Sequence, residues 1–182
     1  GDYAALSAQP RPGHADYTGM VRYQGCNDPR GGGHFSGRLT APLVFAGAMC
    51  KLWLKTQGVT VGSHIQSIAQ IQDMPFDDVD VCPEQLDALR EADYPVNNPR
   101  ALDAMLAAIE DAREAQDSVG GVIECAATGL PAGLGSPMLD TVEGRLSSLL
   151  FGVPAVKGVE FGAGFAAARL RGSQNNDPFT MN

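Results

Sequence analysis

The stretch Thr40 to Thr56 constrains this chain most. It is rich in Ala, Leu and Met, has no proline after Pro42, and is apolar on almost every side through Leu43, Val44, Phe45, Ala46, Ala48, Met49, Leu52, Trp53 and Leu54. A helix apolar all round is stable only when it is covered on several faces, so this one is expected to lie inside the fold. It falls short of the roughly 20 apolar residues that a bilayer span requires, and Lys51 interrupts it. No membrane association is expected.

Around it the pattern is mixed. Val59 to Ile71 and Gly121 to Ala127 read as strands, and so does Val156 to Phe161. Glu84 to Ala92 reads as a short helix. Pro99 to Gln116 reads as a stronger one, with Asn98 as N-cap, Pro99 at the first helical position, and Leu102, Met105, Leu106 and Ile109 on one face. A further amphipathic helix is expected from Met138 to Phe151 through Leu139, Val142, Leu146, Leu149 and Leu150, after a turn-rich Gly129–Gly135. Residues 1 to 35 are punctuated by Pro10, Pro12, Gly13, Gly25, Pro29 and Gly31-Gly32-Gly33, which predicts an irregular segment with a short strand near Met20 to Tyr23. The tail from Gly172 is polar and loop-like. There is no internal repeat, and strands do not alternate cleanly with helices. The expected class is therefore α+β, with helices packed on sheets, and the 182 residues fit a single domain spanning 1–182.

Charge narrows the function. The net charge is −8, and no cluster of Lys or Arg offers a face that could neutralise nucleic-acid phosphates. An acidic protein that binds an anionic metabolite must place its few arginines deliberately. Cys26, Cys50, Cys82 and Cys125 are widely spaced, without a Cys-x-x-Cys pair or zinc-site spacing, and are expected to be buried free thiols. No signal peptide is visible, so a cytoplasmic protein is expected.

Three constellations carry chemistry. In Arg11-Pro12-Gly13-His14-Ala15-Asp16, proline fixes one backbone dihedral and glycine frees another, so the chain can turn sharply and present His14 between Arg11 and Asp16. A histidine so flanked suits proton donation. The spacing alone fits a surface-loop histidine without a role at least as well. In Asp28-Pro-Arg30-Gly-Gly-Gly-His34-Phe35-Ser36-Gly-Arg38-Leu-Thr40, glycines let backbone N–H groups approach a ligand, and Arg30 and Arg38 suit phosphate or carboxylate. A flexible linker with Ser36 or Thr40 as an N-cap explains the same residues equally well. Gly162-Ala-Gly164-Phe-Ala-Ala167 matches the dinucleotide-binding turn in form. The second strand that turn requires, ending in an acidic residue, has no place before Asn182, so glycines for turns or packing are the better reading. His64 sits in a strand-like segment as a structural residue, and Asp77-Asp78 and Glu110-Asp111 read as solvated faces. No metal-ligand spacing is present.

Together, several motifs resemble the chorismate synthases: Arg-Pro-Gly-His-Ala-Asp-Tyr-Thr at 11–18, Arg-Gly-Gly-Gly-x-x-Ser-x-Arg-x-Thr at 30–40, Gly129-Leu-Pro-Ala-Gly-Leu-Gly135, Val153-Pro-Ala-Val-Lys-Gly-Val-Glu-Phe-Gly162 and Gly172-Ser-Gln-Asn-Asn-Asp177. The resemblance covers essentially the whole chain. It implies anti 1,4-elimination of phosphate from 5-enolpyruvylshikimate 3-phosphate to give chorismate, with reduced FMN required although there is no net redox change. NADPH or an external reductase would reduce the flavin. The implied fold is a β-α-β sandwich with helices between antiparallel sheets, assembled as a homotetramer. By the resemblance His14 is one of two active-site histidines and protonates or holds the reduced flavin, while Arg11 and Arg38 bind the anionic groups of the substrate. His34, Phe35 and Ser36 fall where the family contacts FMN, Ser36 being also a candidate in proton relay. Pro154 and Ala155 would pack against the cofactor.

There are two departures from the family pattern. Many members carry Arg where this chain has His34. Members are also about twice as long, so the chain is expected to be a central portion, without the segment bearing the second histidine or the late flavin loop. A non-catalytic fragment retaining fold and assembly contacts is the alternative, and a nucleotide-binding domain using Gly162 and Gly164 is a more distant one.

Overall fold

The computed structural model describes residues 9–176 together with Pro178 and Phe179. Residues 1–8 of the irregular N-terminal segment and Asp177 of the 172–177 motif lie outside the described residues. Two compact units divide the chain: one holds the N-terminal residues to Gly47 and those from Gly135 onward, the other Ala48 to Leu134.

The Ala48–Leu134 unit is built on an antiparallel sheet. Strand β1 (Thr60–Ile68) lies between β2 (Ile71–Gln72) and β3 (Gly121–Thr128), giving the order β2-β1-β3. Val61 pairs with Ala127 and Ile65 with Ile123, after which the register slips between Ile65 and Ser67. The extra residue there marks a β-bulge. On one face, Gly62, His64 and Ser67 of β1 are buried.

Helix α2 (Thr40–Thr56) leads into the sheet from the other unit. After β2 come α3 (Pro83–Glu91) and α4 (Pro99–Glu114). Leu86 of α3 packs directly on Gly62, where an added Cβ would come within 2.7 Å of the leucine Cβ. Glycine at that strand position sets how closely the helix approaches the sheet. Phe76, Leu86 and Leu89 form the buried cluster, with Val81 and Ala126 against it. Met105 of α4 is fully enclosed, as the apolar face predicts, while Leu106 and Ile109 on the same helix remain partly exposed. The N-cap forms as expected, Asn98 Oδ1 accepting from Arg100 N at 3.1 Å.

The other unit contains α1 (Asp16–Arg22), tight turns over Arg30–Phe35 and Gly37–Leu39, the start of α2, α5 (Val142–Leu150) and a 3₁₀ turn over Gly164–Arg169. This mixture of helices with an antiparallel sheet is an α+β fold, as expected.

Several expectations are corrected. Met20 to Tyr23 is not a strand: residues 16–22 form α1, whose Gly19 leaves room for the Phe35 ring to lie on the helix. The helix expected from Met138 begins only at Val142, because Thr141 Oγ1 accepts from Gly144 N at 3.0 Å and starts it there. Met138 itself adopts a left-handed backbone (φ 66°) outside the helix. Val156 to Phe161 makes no strand, since no described strand lies alongside to pair with it.

The four cysteines are free, as expected, but exposed rather than buried. Cys50 lies on α2, and α2 is itself the largest departure. Leu43, Val44, Phe45, Met49, Leu52 and Trp53 are all exposed. Apolar patterning states that a surface demands cover. It does not state that neighbouring residues provide that cover, and what ties this helix to α3 is the ion pair of Lys55 Nζ with Asp87 Oδ2 at 2.7 Å rather than an apolar contact of these side chains.

Candidate active site

The first constellation forms the turn its sequence predicts. Gly13 takes a left-handed backbone (φ 70°) after Pro12, and His14 N closes the turn on Arg11 O at 3.4 Å. Asp16, the first residue of α1, gathers the segment. Its Oδ2 accepts from Arg11 N at 3.0 Å and from Arg11 Nε at 2.8 Å, and its Oδ1 accepts from Arg11 Nη2 at 2.9 Å. His14 Nδ1 lies 2.7 Å from the same Oδ1. The Arg11 side chain and backbone N–H, with the His14 ring adding, hold the Asp16 carboxyl well below the usual carboxylate range. Arg11 Nη2 is 3.3 Å from both ring nitrogens of His14. A donor in the ring plane cannot be that far from both without meeting the carbon between them, so the guanidinium lies over the ring face.

The second constellation folds against the first. Asp28 grips Arg30 through Arg30 Nη2 to Oδ2 at 2.6 Å and Arg30 Nε to Oδ1 at 2.9 Å, and the Arg30 side chain draws its pKa down to about 2. Gly31, Gly32 and Gly33 follow, all with positive φ, in a sharp turn that only glycine adopts without strain. Gly32 is buried, and a Cβ placed there would come within 3.2 Å of His14 Nε2. The Phe35 ring lies on Gly19 of α1, and the Tyr23 ring stands 6.5 Å from both His34 and Phe35. The two motifs, separate in sequence, therefore pack against each other.

The remaining expected residues divide. Ser36 Oγ accepts from Arg38 N at 3.3 Å, the capping role that its type allows, and His34 is exposed. The Arg38 side chain is exposed and has no acidic partner among the described residues, unlike Arg30. Pro154 and Ala155 follow α5, with Ala155 in a left-handed backbone (φ 70°). Among the described residues no hydrogen bond, ion pair or ring contact joins them to His14 or to the glycine turn.

Charge follows the same plan: residues 9 to 47 carry Arg11, Arg22, Arg30 and Arg38 against Asp16 and Asp28, whereas the whole chain is at −8. A cationic island in an acidic protein suits anionic ligands. The glycine motif at 162 does not. No strand precedes it, and Glu160 Oε2 accepts from Phe165 N at 3.2 Å, placing a carboxylate on an amide that a pyrophosphate would need.

Sequence reasoning missed Gly19, Tyr23 and the gathering role of Asp16. The signal for Gly19 was a glycine inside a segment that could be helical, where it costs about 1 kcal/mol relative to Ala and so implies a packing reason.

Comparison with known proteins agrees over the whole length. The chorismate synthase family model matches residues 1–182. The chain is 46% identical to a chorismate synthase of Dehalococcoides mccartyi over 99% of its own length and 48% of that protein. It is 45% identical to that of Thermococcus kodakarensis over 98% of its length and 48% of the relative. A crystal structure of chorismate synthase superposes with a TM-score of 0.78 at 30% identity, covering 91% of this chain and 52% of that one. The chain thus spans about half the length of the relatives it matches. It belongs to the chorismate synthase family.

Proposed function

We propose that the protein catalyses the anti 1,4-elimination of phosphate from 5-enolpyruvylshikimate 3-phosphate to give chorismate, and that this chain supplies one wall of the site. The observation that carries the reading is the cluster of Asp16, His14 and Arg11 seated against Gly32 in the cationic segment of an acidic chain.

The substrate bears a phosphate and two carboxylates. Arg38, without an acidic partner, would bind one of these groups; Arg11, its charge shared with Asp16, would contribute less charge and mainly orient the phosphate, which leaves with the electron pair of its C–O bond. His14, half-buried beside both, would hold or move a proton.

The donor set fits FMN, whose phosphate needs cations and open backbone. His34, Phe35 and Ser36 would hold it, with Pro154 and Ala155 adding apolar surface. When bound in reduced form it supplies electron density to the reacting ring and returns what it takes up, so no net redox change results. NADPH or an external reductase would supply its electrons, a homotetramer is the expected assembly and the cytoplasm the expected compartment.

The test is chorismate formation and phosphate release by the intact protein with dithionite-reduced FMN. Turnover in wild type and its loss in His14→Ala, with folding retained, support the reading. A folded intact protein that releases neither product overturns it. The same assay on the 182-residue chain alone decides whether this portion is an enzyme by itself.

A further inference from the structure

We propose that Tyr23 is a positioning residue on the cofactor side of the site: its ring braces His34 and Phe35, and with them the glycine turn, in the arrangement that receives FMN. The inference rests on the reading of His34 and Phe35 as FMN contacts and adds the residue that holds them.

Gly31, Gly32 and Gly33 all have positive φ and carry no side chains that could hold their turn, and glycine is the residue least restrained by its own backbone. The turn therefore depends on its two ends. At the first end Asp28 grips Arg30. At the second the contacts are aromatic. The Tyr23 ring stands 6.5 Å from the His34 ring, edge-on at 76°, and 6.5 Å from the Phe35 ring, tilted at 46°. Both lie within the range of favourable ring pairs.

Tyr23 is itself fixed by the way α1 ends. Gly25 N donates to Met20 O at 2.9 Å and Gln24 N to Val21 O at 3.3 Å, with Gln24 in a left-handed backbone (φ 53°). This pair of bonds is a Schellman cap. Tyr23 N donates to Gly19 O at 3.0 Å, so the backbone that carries the ring belongs to the last turn of the helix. The Arg22 guanidinium carbon lies 6.0 Å from the ring centroid, at cation–π distance. One anchored ring thus meets both aromatic residues that the turn presents. Tyr23 is 41% exposed and Phe35 36%, so the cluster stays open to a planar ligand. Among the described residues no hydrogen bond engages the Tyr23 hydroxyl, which leaves the ring as the part that positions.

The experiment is FMN titration of the intact protein, followed by the fluorescence of the cofactor, with KM for 5-enolpyruvylshikimate 3-phosphate measured alongside. Tyr23→Leu is expected to weaken FMN binding by about tenfold while KM for the substrate stays close to wild type, and Tyr23→Phe to restore the affinity. With His34→Ala and Phe35→Leu both in place, Tyr23→Leu should add nothing further, because it acts through those two rings. Unchanged FMN affinity in Tyr23→Leu overturns the proposal. So does an equal rise in the substrate KM, a Tyr23→Phe protein as weak as Tyr23→Leu, or a loss that persists in full in the double background. Should Tyr23→Leu fail to fold, Tyr23→Met, which also lacks a ring, is read by the same criteria. The two levels fail separately. If His34→Ala and Phe35→Leu bind FMN as wild type does, the placing of the cofactor on this turn falls, and faster amide exchange over Gly31–Gly33 in Tyr23→Leu still shows the bracing. If both weaken FMN and Tyr23→Leu does not, only the role of Tyr23 falls.

Discussion

His64 Nε2 lies 2.6 Å from Glu124 Oε2, across the β1–β3 pairing, while its Nδ1 lies 3.0 Å from Asp73 Oδ2. For both contacts to be hydrogen bonds, a proton must lie between each nitrogen and its oxygen. The His64 and Asp73 side chains are wholly enclosed. Asp73 also accepts from Asn97 N at 2.6 Å and Asn98 N at 2.8 Å, and Glu124 from Phe76 N at 2.9 Å. One cluster thus ties the sheet to the 73–76 segment and to the start of α4. The structural role that the sequence assigns to His64 is what is found, although no spacing rule pairs it with an acid nine residues away and another sixty away.

The cluster makes the stability of this unit acid-sensitive. Burial alone would raise the Asp73 pKa, but the backbone N–H groups of Asn97, Asn98 and Met74 and the His64 ring outweigh it, and the net shift is downward. A carboxyl whose folded pKa lies below its unfolded value stabilises the fold above the unfolded value, near 3.8, and loses that contribution as pH falls through the folded one. Urea melts at stepped pH should show stability dropping below about pH 4, with a shallower drop in Asp73→Asn. Equal slopes in the two proteins remove Asp73 from the acid response. His64→Leu strands two acids and should cost roughly 3 kcal/mol or more at neutral pH.

Gly32 permits a second prediction. Its backbone is left-handed (φ 88°) and its missing Cβ leaves room for His14. Gly25 is similarly left-handed (φ 78°), but nothing lies within 4 Å of where its Cβ would be. Alanine at either position strains the backbone by about 1–2 kcal/mol, and only Gly32→Ala also pushes the imidazole. Chorismate formation should fall by about tenfold or more in Gly32→Ala, equivalent to about 1.4 kcal/mol of barrier, and little in Gly25→Ala. Matching losses in the two variants would show strain alone at work.

What the sequence disclosed, and what it did not, follows from range. Local rules worked where the deciding contact was local: the Asn98 cap of α4, the Pro12-Gly13 turn and the bounds of α2. They failed where a distant partner decided. Met20 to Tyr23 is expected as a short strand, yet it lies at the end of a helix whose Gly19 carries the Phe35 ring, and α2 reads as an enclosed helix although its apolar side chains stand exposed. The site motifs were legible one at a time. That Gly32 meets His14, and that Asp28 rather than a ligand takes Arg30, depends on the fold bringing 11–23 and 28–36 together.

The Gly19–Phe35 contact can be tested against helix propensity. Alanine favours a helix over glycine by about 0.8–1.0 kcal/mol, but a Cβ at position 19 would come within 2.6 Å of Phe35 Cε2. Overpacking of that kind typically costs about 1–3 kcal/mol, so Gly19→Ala should destabilise the protein by about 1 kcal/mol or more. In a Phe35→Leu background the clash goes and the propensity gain remains, so the same change should be neutral or stabilising. A double-mutant cycle by thermal melting checks the sign reversal. An additive cycle would mean that the ring is not seated on Gly19.

The two arginines that flank the glycine turn should behave differently. Arg30 is held by Asp28 through three side-chain contacts, whereas Arg38 has no acidic partner among the described residues. A guanidinium already neutralised contributes less to a new anion than one that is not. Hydrogen bonds to charged groups contribute about 1.5–3 kcal/mol, so Arg38→Ala in the intact protein should raise KM for 5-enolpyruvylshikimate 3-phosphate by roughly 10- to 100-fold, with Arg38→Lys between it and wild type. Arg30→Ala should raise KM several-fold less and instead loosen the glycine turn. Steady-state kinetics of the three variants decide the matter: an Arg38→Ala enzyme with unchanged KM takes Arg38 out of the substrate site.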